Sequence, residues 1–339
     1  MKSLIALILV ITFSVPINAQ EWISPIDKKY MEISSNNFSK FDKARSLLNS
    51  YRGNREILVE ADKLLRDVLQ SDDTFAPAYR EYGRLFLMSG HKVNDDFRHG
   101  SLSSAESSIL KSIDLEPNYA DSYVLLGHLY TKNRIITEAK KALEKAESIG
   151  TDTPWLHLNW ADINIRERNV NQAIKRYEHV VKKGTSNKKA YSNALNGLAS
   201  AYWALQDWDK VNESYINLIQ YEPTSAWNWG YYSHFLLYIK GDIDAAIQKG
   251  EKALSIMNYG LGRFTLACAL YTKWAMLKNN PVTTLQAQQY FDKAWSIYPY
   301  PEKVIEETQK YQSTRITSTA LSKWLTNKGI GRSKAAPVL

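Results

Sequence analysis

The sequence predicts an all-α protein in which one helix–turn–helix unit recurs along most of the chain. Three observations carry this. A small residue returns at Ala61, Ala105, Ala139, Ala173, Val211, Ala246 and Ala287, at intervals of 44, 34, 34, 38, 35 and 41 residues. Four positions after each stand Leu65, Ile109, Leu143, Tyr177, Tyr215, Gly250 and Phe291. Pro117, Pro223 and Pro299 each lie 12 residues after the small position, where a residue without an N–H ends a helix. Units of this length cannot bury an apolar face alone, so they stack, and the expected architecture is an α-solenoid.

The N-terminus, "MKSLIALILVITFSVPINAQ", has a positive Lys2, an apolar stretch from Leu4 to Val15, a break at Pro16 and a small residue at Ala19. This fits a secretory signal peptide over residues 1–19, cleaved after Ala19. The run is shorter than the roughly 20 residues that span a bilayer, although an uncleaved anchor stays open as an alternative. No Cys follows it, which argues against a lipoprotein, and no later stretch reads as a membrane helix, so no transmembrane segment is expected in the mature chain. The expected location is periplasmic or secreted. Residues 20–37 read as an N-terminal extension.

Within the array, "SYVLLGHLYTKNRIITEAKKALEKAESI" (residues 122–149) shows the unit most clearly. Two helical periods, about 122–132 and 136–148, flank the turn Lys132–Asn133–Arg134. Gly127, Ala139 and Ala146 let the helices approach, and Tyr123, Tyr130 and Leu143 fill the space around them. Three units run long, with extra residues near 90–103, near "KGTSNKKAY" and near 277–286; insertions in solenoids become loops on one rim, often beside the working face. The array is expected over 38–300 with about six to seven repeats, followed by capping helices at 301–326 and a disordered tail at 327–339.

This helix–turn–helix resembles the tetratricopeptide repeat (TPR) family, chiefly through "YVLLGHLY…EAKKALEKA" and "LNGLASAYWALQDWDKVNESYINLIQYEP". The unit "WLHLNWADINIRERNVNQAIKRYEHV" departs from the pattern, carrying Asn164 where the first helix wants an aromatic. The resemblance implies a right-handed superhelix with a concave groove that binds a partner. It also assigns groove-facing positions on each first helix, counted from the Gly127-type residue. These are Arg80 and Arg84, then Asp121 and His128, then Asp162, Asn193, Asn196, Trp203, Asn228, Tyr231, Tyr238, Phe264 and Tyr271. The implied groove is basic toward its N-terminal end and rich in Asn and aromatic residues toward its C-terminal half. Each ring has a second reading, as a packing contact between neighbouring repeats. The chaperone-clamping members of the family need an Asn where this chain has Val124 and Leu125, so that function is not carried over.

Composition narrows the function classes. Hydrophobic residues are 44% and charged residues 23%, enough apolar content for a large core. Tyr (21) and Trp (10) are abundant, and such amphipathic rings suit half-buried contact surfaces. The net charge of +8 comes from scattered Lys and Arg. Export argues against nucleic acid as partner, leaving solvated helix faces or a mild attraction to anionic lipid or glycan. Cys268 is the single cysteine, so no intrachain disulfide forms and the thiol is expected to be buried.

No phosphate-loop, nucleophile-elbow or zinc-protease motif is present, and no cofactor is implied. His91, Asp95 and His99 stand four apart in one insertion and would share a face if it were helical, making a weak metal candidate; Gly90, Gly100 and Asn94–Asp95–Asp96 favour a polar loop. The functional expectation is a non-enzymatic exported scaffold or adaptor, holding a partner protein segment in its groove within a bacterial envelope assembly or a polysaccharide or pilus export system. In a eukaryotic lumen, Asn37 and Asn212 would be glycosylation candidates. The alternative is direct binding of an anionic polysaccharide along the aromatic and Asn-lined groove.

Overall fold

The computed structural model describes residues 23–51, 53–92, 96–151 and 153–328. The expected signal peptide, Asp95 and most of the expected tail lie outside these residues. The regular structure of the described residues is helical, and among them the only extended pairing is an isolated bridge between His91 and Phe97. No described helix is long and apolar enough to cross a membrane.

Two compact units divide the chain after Gly197. The first holds α1 (Pro25–Ile33), α2 (Ser35–Ser50), α3 (Arg55–Ser71), α4 (Ala76–Gly90), α5 (Ser101–Leu115), α6 (Ala120–Lys132), α7 (Ile136–Ile149), α8 (Pro154–Arg166) and α9 (Val170–Lys183). The division falls within α10 (Lys188–Ala204). The second unit continues with α11 (Trp208–Tyr221), α12 (Ala226–Phe235), a π-helical turn at Leu236–Lys240, α13 (Ile243–Ile256), α14 (Gly260–Leu277) and α15 (Thr284–Ile297). It ends with α16 (Pro301–Thr308), a 3₁₀ turn at Gln312–Thr314 and α17 (Arg315–Asn327).

Successive helices pair along the chain: α2 with α3, α4 with α5, α6 with α7, α8 with α9, α12 with α13 and α14 with α15. The small-and-large pattern sets this spacing. A Cβ added at Gly83 would stand 2.4 Å from Ile109, and one at Gly127 would stand 2.5 Å from Leu143, so neither helix pair would close as it does with a larger residue. Ala61, Ala105, Ala139, Ala173, Val211 and Ala246 are all fully buried. The turn between paired helices has its own signature. The residue five before the small position takes a left-handed backbone at Gly100, Arg134, Arg168, Gln206 and Gly241, and the three non-glycines among them adopt φ near +60°. One turn conformation therefore repeats with the helices.

One feature adds to the sequence reading, and one follows its loop signals. The segment 20–37 is not merely an extension: Ser24 caps α1 by accepting from the Asp27 amide, and α1 delivers buried Asp27 into the first unit. The insertion after α4 is not helical. The Lys92 amide donates to the Asp96 carbonyl at 2.7 Å and the Arg98 amide to the Gly90 carbonyl at 2.8 Å, closing a hairpin-like loop. The face that would have joined His91, Asp95 and His99 is absent from its described part, and no described group of three or more such side chains is arranged to hold a metal.

Candidate binding cavity

The first helices of successive pairs in the first unit, together with α1, line a cavity of about 620 Å³. Its cationic lining residues are Arg45, Arg80, Arg84, Lys132 and Lys189, against the acids Asp27, Glu81 and Asp121. Amides from Asn49, Asn159, Asn187 and Asn193 and the apolar groups of Leu87, Met88, Phe97 and Trp155 complete the wall. The mixture suits an extended polypeptide, which presents backbone donors and acceptors, charge and apolar side chains together. The loop after α4 reaches this cavity through His91 and Phe97.

A buried ion cluster forms one end. Glu81 is fully buried and bridges Arg80 and Arg84, with Arg84 Nη1 at 3.2 Å from its Oε2. Arg80 also faces Asp121 at 3.6 Å, and its guanidinium lies over the Tyr119 ring. Arg45 binds Asp27 at 2.8 Å, and the fully buried Tyr119 hydroxyl donates to the same carboxylate. Burial alone would raise the Glu81 pKa, but Arg80, Arg84 and Arg45 outweigh it and hold the carboxyl below its usual range. Arg84 goes the other way. Burial, with Arg80 and Arg45 adding repulsion, depresses its pKa despite the Glu81 contact. Its remaining partner is neutral, since Nη2 donates to Asn49 Oδ1 at 2.6 Å. Arg80 Nε is buried without a partner. The cluster thus sets three cations, Arg45, Arg80 and Arg84, against three acids, Asp27, Glu81 and Asp121.

Further along, Asn159 donates through Nδ2 to the Val124 carbonyl at 3.1 Å, so its Oδ1 is left to accept from His128 Nδ1 at 2.9 Å. The Asn159 carbonyl can only accept, so the His128 ring carries a proton on Nδ1.

Of the groove residues read from the sequence, Arg80, Arg84, Asp121, His128 and Asn193 line this cavity. Asn196 is not among the lining residues and donates to the Ser192 carbonyl within its own helix. Asp162 pairs with Arg166 one turn on. The remaining candidates belong to the second unit and take other roles. Tyr271 is fully buried against Phe291, with its hydroxyl donating to the Tyr298 carbonyl, and Phe264 packs on Tyr298. Tyr238 is buried and stacked by Tyr311 at 4.2 Å, and Asn228 is 3% exposed. Trp203 packs among Trp208, His234 and Phe235. Tyr231 alone of these is substantially exposed, at 42%. For Tyr238 and Tyr271 the packing reading holds, because the capping segment and α15 cover them.

Sequence reasoning missed Asp27, Arg45, Asn49, Glu81 and Asn159. Arg45 and Asn49 carry the same four-residue spacing as Arg80 and Arg84, a signal visible in the sequence. Asp27 came from a segment with no repeat pattern to place it.

The helix pairing, the repeated left-handed turn and the small-residue contacts between paired helices decide the fold. The fold is that of the tetratricopeptide repeat. No protein-family profile and no curated protein matches the sequence. Solved structures of TPR proteins do match in shape. The Cut9–Hcn1 hetero-tetramer of the APC/C matches with a TM-score of 0.54 at 19% identity, covering 72% of this chain and 45% of that one. The human IFIT1 dimer with m7Gppp-AAAA matches with a TM-score of 0.54 at 13% identity, over 89% of this chain and 68% of that one. PilF of Pseudomonas aeruginosa matches with a TM-score of 0.50 at 13% identity, over 71% of this chain and 99% of that one. This chain therefore spans less than half the length of the Cut9 structure. At these identities the likeness concerns the TPR architecture alone.

Proposed function

We propose that this TPR protein is an exported, non-enzymatic scaffold that holds an extended segment of a partner protein in the cavity of its first unit. The observation that carries this reading is the cavity wall: cations, amides and apolar groups presented side by side by successive first helices. Charge complementarity favours an acidic segment, because the cavity lining carries five cationic residues and three acids. The leader at residues 1–19 supports a periplasmic or secreted location, and with it a role in an envelope assembly such as polysaccharide or pilus export.

The test is photo-crosslinking in cells that make the protein, with the probe at Asn193 on the cavity wall and a control at exposed Lys141 on α7. A discrete protein adduct at Asn193 and none at Lys141 is the expected result, and its mass identifies the partner. Equal labelling at both positions would refute the cavity as the working surface.

A further inference from the structure

The second unit carries an exposed aromatic surface that the cavity reading does not use. Trp227 and Tyr231 stand one turn apart on α12 and are 44% and 42% exposed. Their ring centroids are 6.0 Å apart, and Trp227 lies 4.5 Å from Tyr259, the residue just before α14. Leu261 beside them is also exposed. Lone exposed rings need no explanation, but a contiguous set held in place does.

This set is held in place by the backbone beneath it. Tyr259 lies between two glycines: a Cβ at Gly230 would stand 1.9 Å from its hydroxyl oxygen, and a Cβ at Gly262 would stand 2.6 Å from its ring. Neither position admits a side chain while Tyr259 stays where it is. The Tyr259 hydroxyl is tied to the Ala226 carbonyl at 3.2 Å, at the very start of α12. The ring is therefore an inlaid base, and Trp227 rests on it.

Polar groups accompany the rings without partners. Neither the Trp227 indole N–H nor the Tyr231 hydroxyl has a hydrogen-bond partner among the described residues. An occupant that offered only hydrocarbon, such as an aliphatic side chain or a lipid tail, would strip water from these donors and return nothing. A proline-rich segment needs slots between rings. A ring intercalated between two others requires about 7 Å, twice a carbon–carbon contact distance of roughly 3.5 Å. The observed spacings of 4.5 and 6.0 Å leave no such slot, so the rings act as one surface rather than as a row of pockets. A pyranose ring meets both demands, with a face of C–H groups to lie on the aromatic surface and hydroxyls at its edge for the indole and the phenol.

We infer that Trp227, Tyr231 and Tyr259 form a glycan-binding platform that takes the C–H face of a pyranose ring. The site stands on the second unit alone and does not depend on the partner cavity of the first.

The experiment follows the indole N–H signals of the ¹⁵N-labelled full-length protein during titration with cellohexaose, with a galacturonic acid hexamer and with decaproline. The Trp227 signal is assigned by its loss in Trp227→Ala. One or both sugar hexamers should move that signal, the uronate more strongly if the protein's positive charge contributes. Binding should weaken at least tenfold in Trp227→Ala and in Tyr231→Ala and be retained in Trp227→Phe. Both Ala variants should melt within a few degrees of wild type, because these side chains are exposed. Three results would overturn the assignment: no shift with either sugar at millimolar concentration, affinity unchanged in Trp227→Ala, or a response to decaproline alone.

Discussion

Replacing Glu81 by Gln tests the buried ion cluster directly. The substitution keeps the shape and removes one negative charge from a site where Arg45, Arg80 and Arg84 face Asp27, Glu81 and Asp121. Glu81 is fully buried, and Arg80 and Arg84 are each less than a fifth exposed, so solvent cannot supply the missing charge. Breaking such a pair from one side costs about 3–5 kcal/mol, because it leaves a buried charge uncompensated. For a folded unit of this length each kcal/mol moves the melting temperature by roughly 2–4 °C, so heating followed by circular dichroism should show a fall of about 6–20 °C. The pH dependence adds a signed check. Folding depresses the Glu81 pKa, so its contribution is present above the unfolded value near 4.3 and is lost as pH falls through the folded value. The stability gap between wild type and Glu81→Gln should therefore be full at pH 7 and close as the solution is acidified below about pH 4. Arg84→Met is the converse. A cation whose pKa is depressed by folding opposes folding at every pH where it is charged, so its removal should change stability by less than about 1 kcal/mol, or raise it. If Glu81→Gln melts within about 0.5 kcal/mol of wild type, or Arg84→Met costs as much as Glu81→Gln, the charge-balance argument is wrong.

Three further outcomes follow from the second unit. Gly230→Ala drives a methyl group into the Tyr259 hydroxyl, and the overpacking should cost about 1–3 kcal/mol in a thermal melt. Ser313→Ala removes the hydroxyl that reaches the Leu237 and Tyr238 carbonyls at 3.3 and 3.1 Å; leaving these acceptors unmet should cost about 1–3 kcal/mol, seen as faster amide exchange in the π-helical turn. Cys268 is fully buried and its thiol is pushed up to about 12 by burial, so it should resist a thiol reagent at pH 8 in the native protein and react promptly once unfolded in urea.

The helical architecture was legible because it rests on spacing, and spacing is written in the sequence. Gly127 opposite Leu143 is a contact between two positions 16 apart, fixed by helix geometry and a short turn, and the same arithmetic applies to Gly83 and Ile109 across a longer loop. The basic end of the cavity was legible for a similar reason, since Arg80 and Arg84 share one face of a first helix. What lies on that face is a different matter. Whether a residue there meets solvent depends on chain that returns from far away, and no repeat pattern announces such a return. Tyr238 satisfies the groove rule, yet Tyr311 stacks on it and Ser313 binds the carbonyl behind it from more than 70 residues on. Asp27 enters the first unit from a segment that precedes the repeats and meets Tyr119 across 92 positions.

The π-helical turn shows why the second unit diverges from the repeat at that point. A π-helical turn departs from the regular i→i−4 ladder, so carbonyls at its end need partners from outside the helix. Ser313 supplies one for Leu237 and Tyr238, and the capping segment that carries it brings Tyr311 onto the same face. Once that face is filled, the aromatic residues that stay open are those one and two turns earlier on α12, where Gly230 leaves room for Tyr259 and Trp227 lies on top. The capping segment and the exposed platform are thus two consequences of one helix. Its C-terminal half is closed by the chain itself, and its N-terminal half is built to present rings outward.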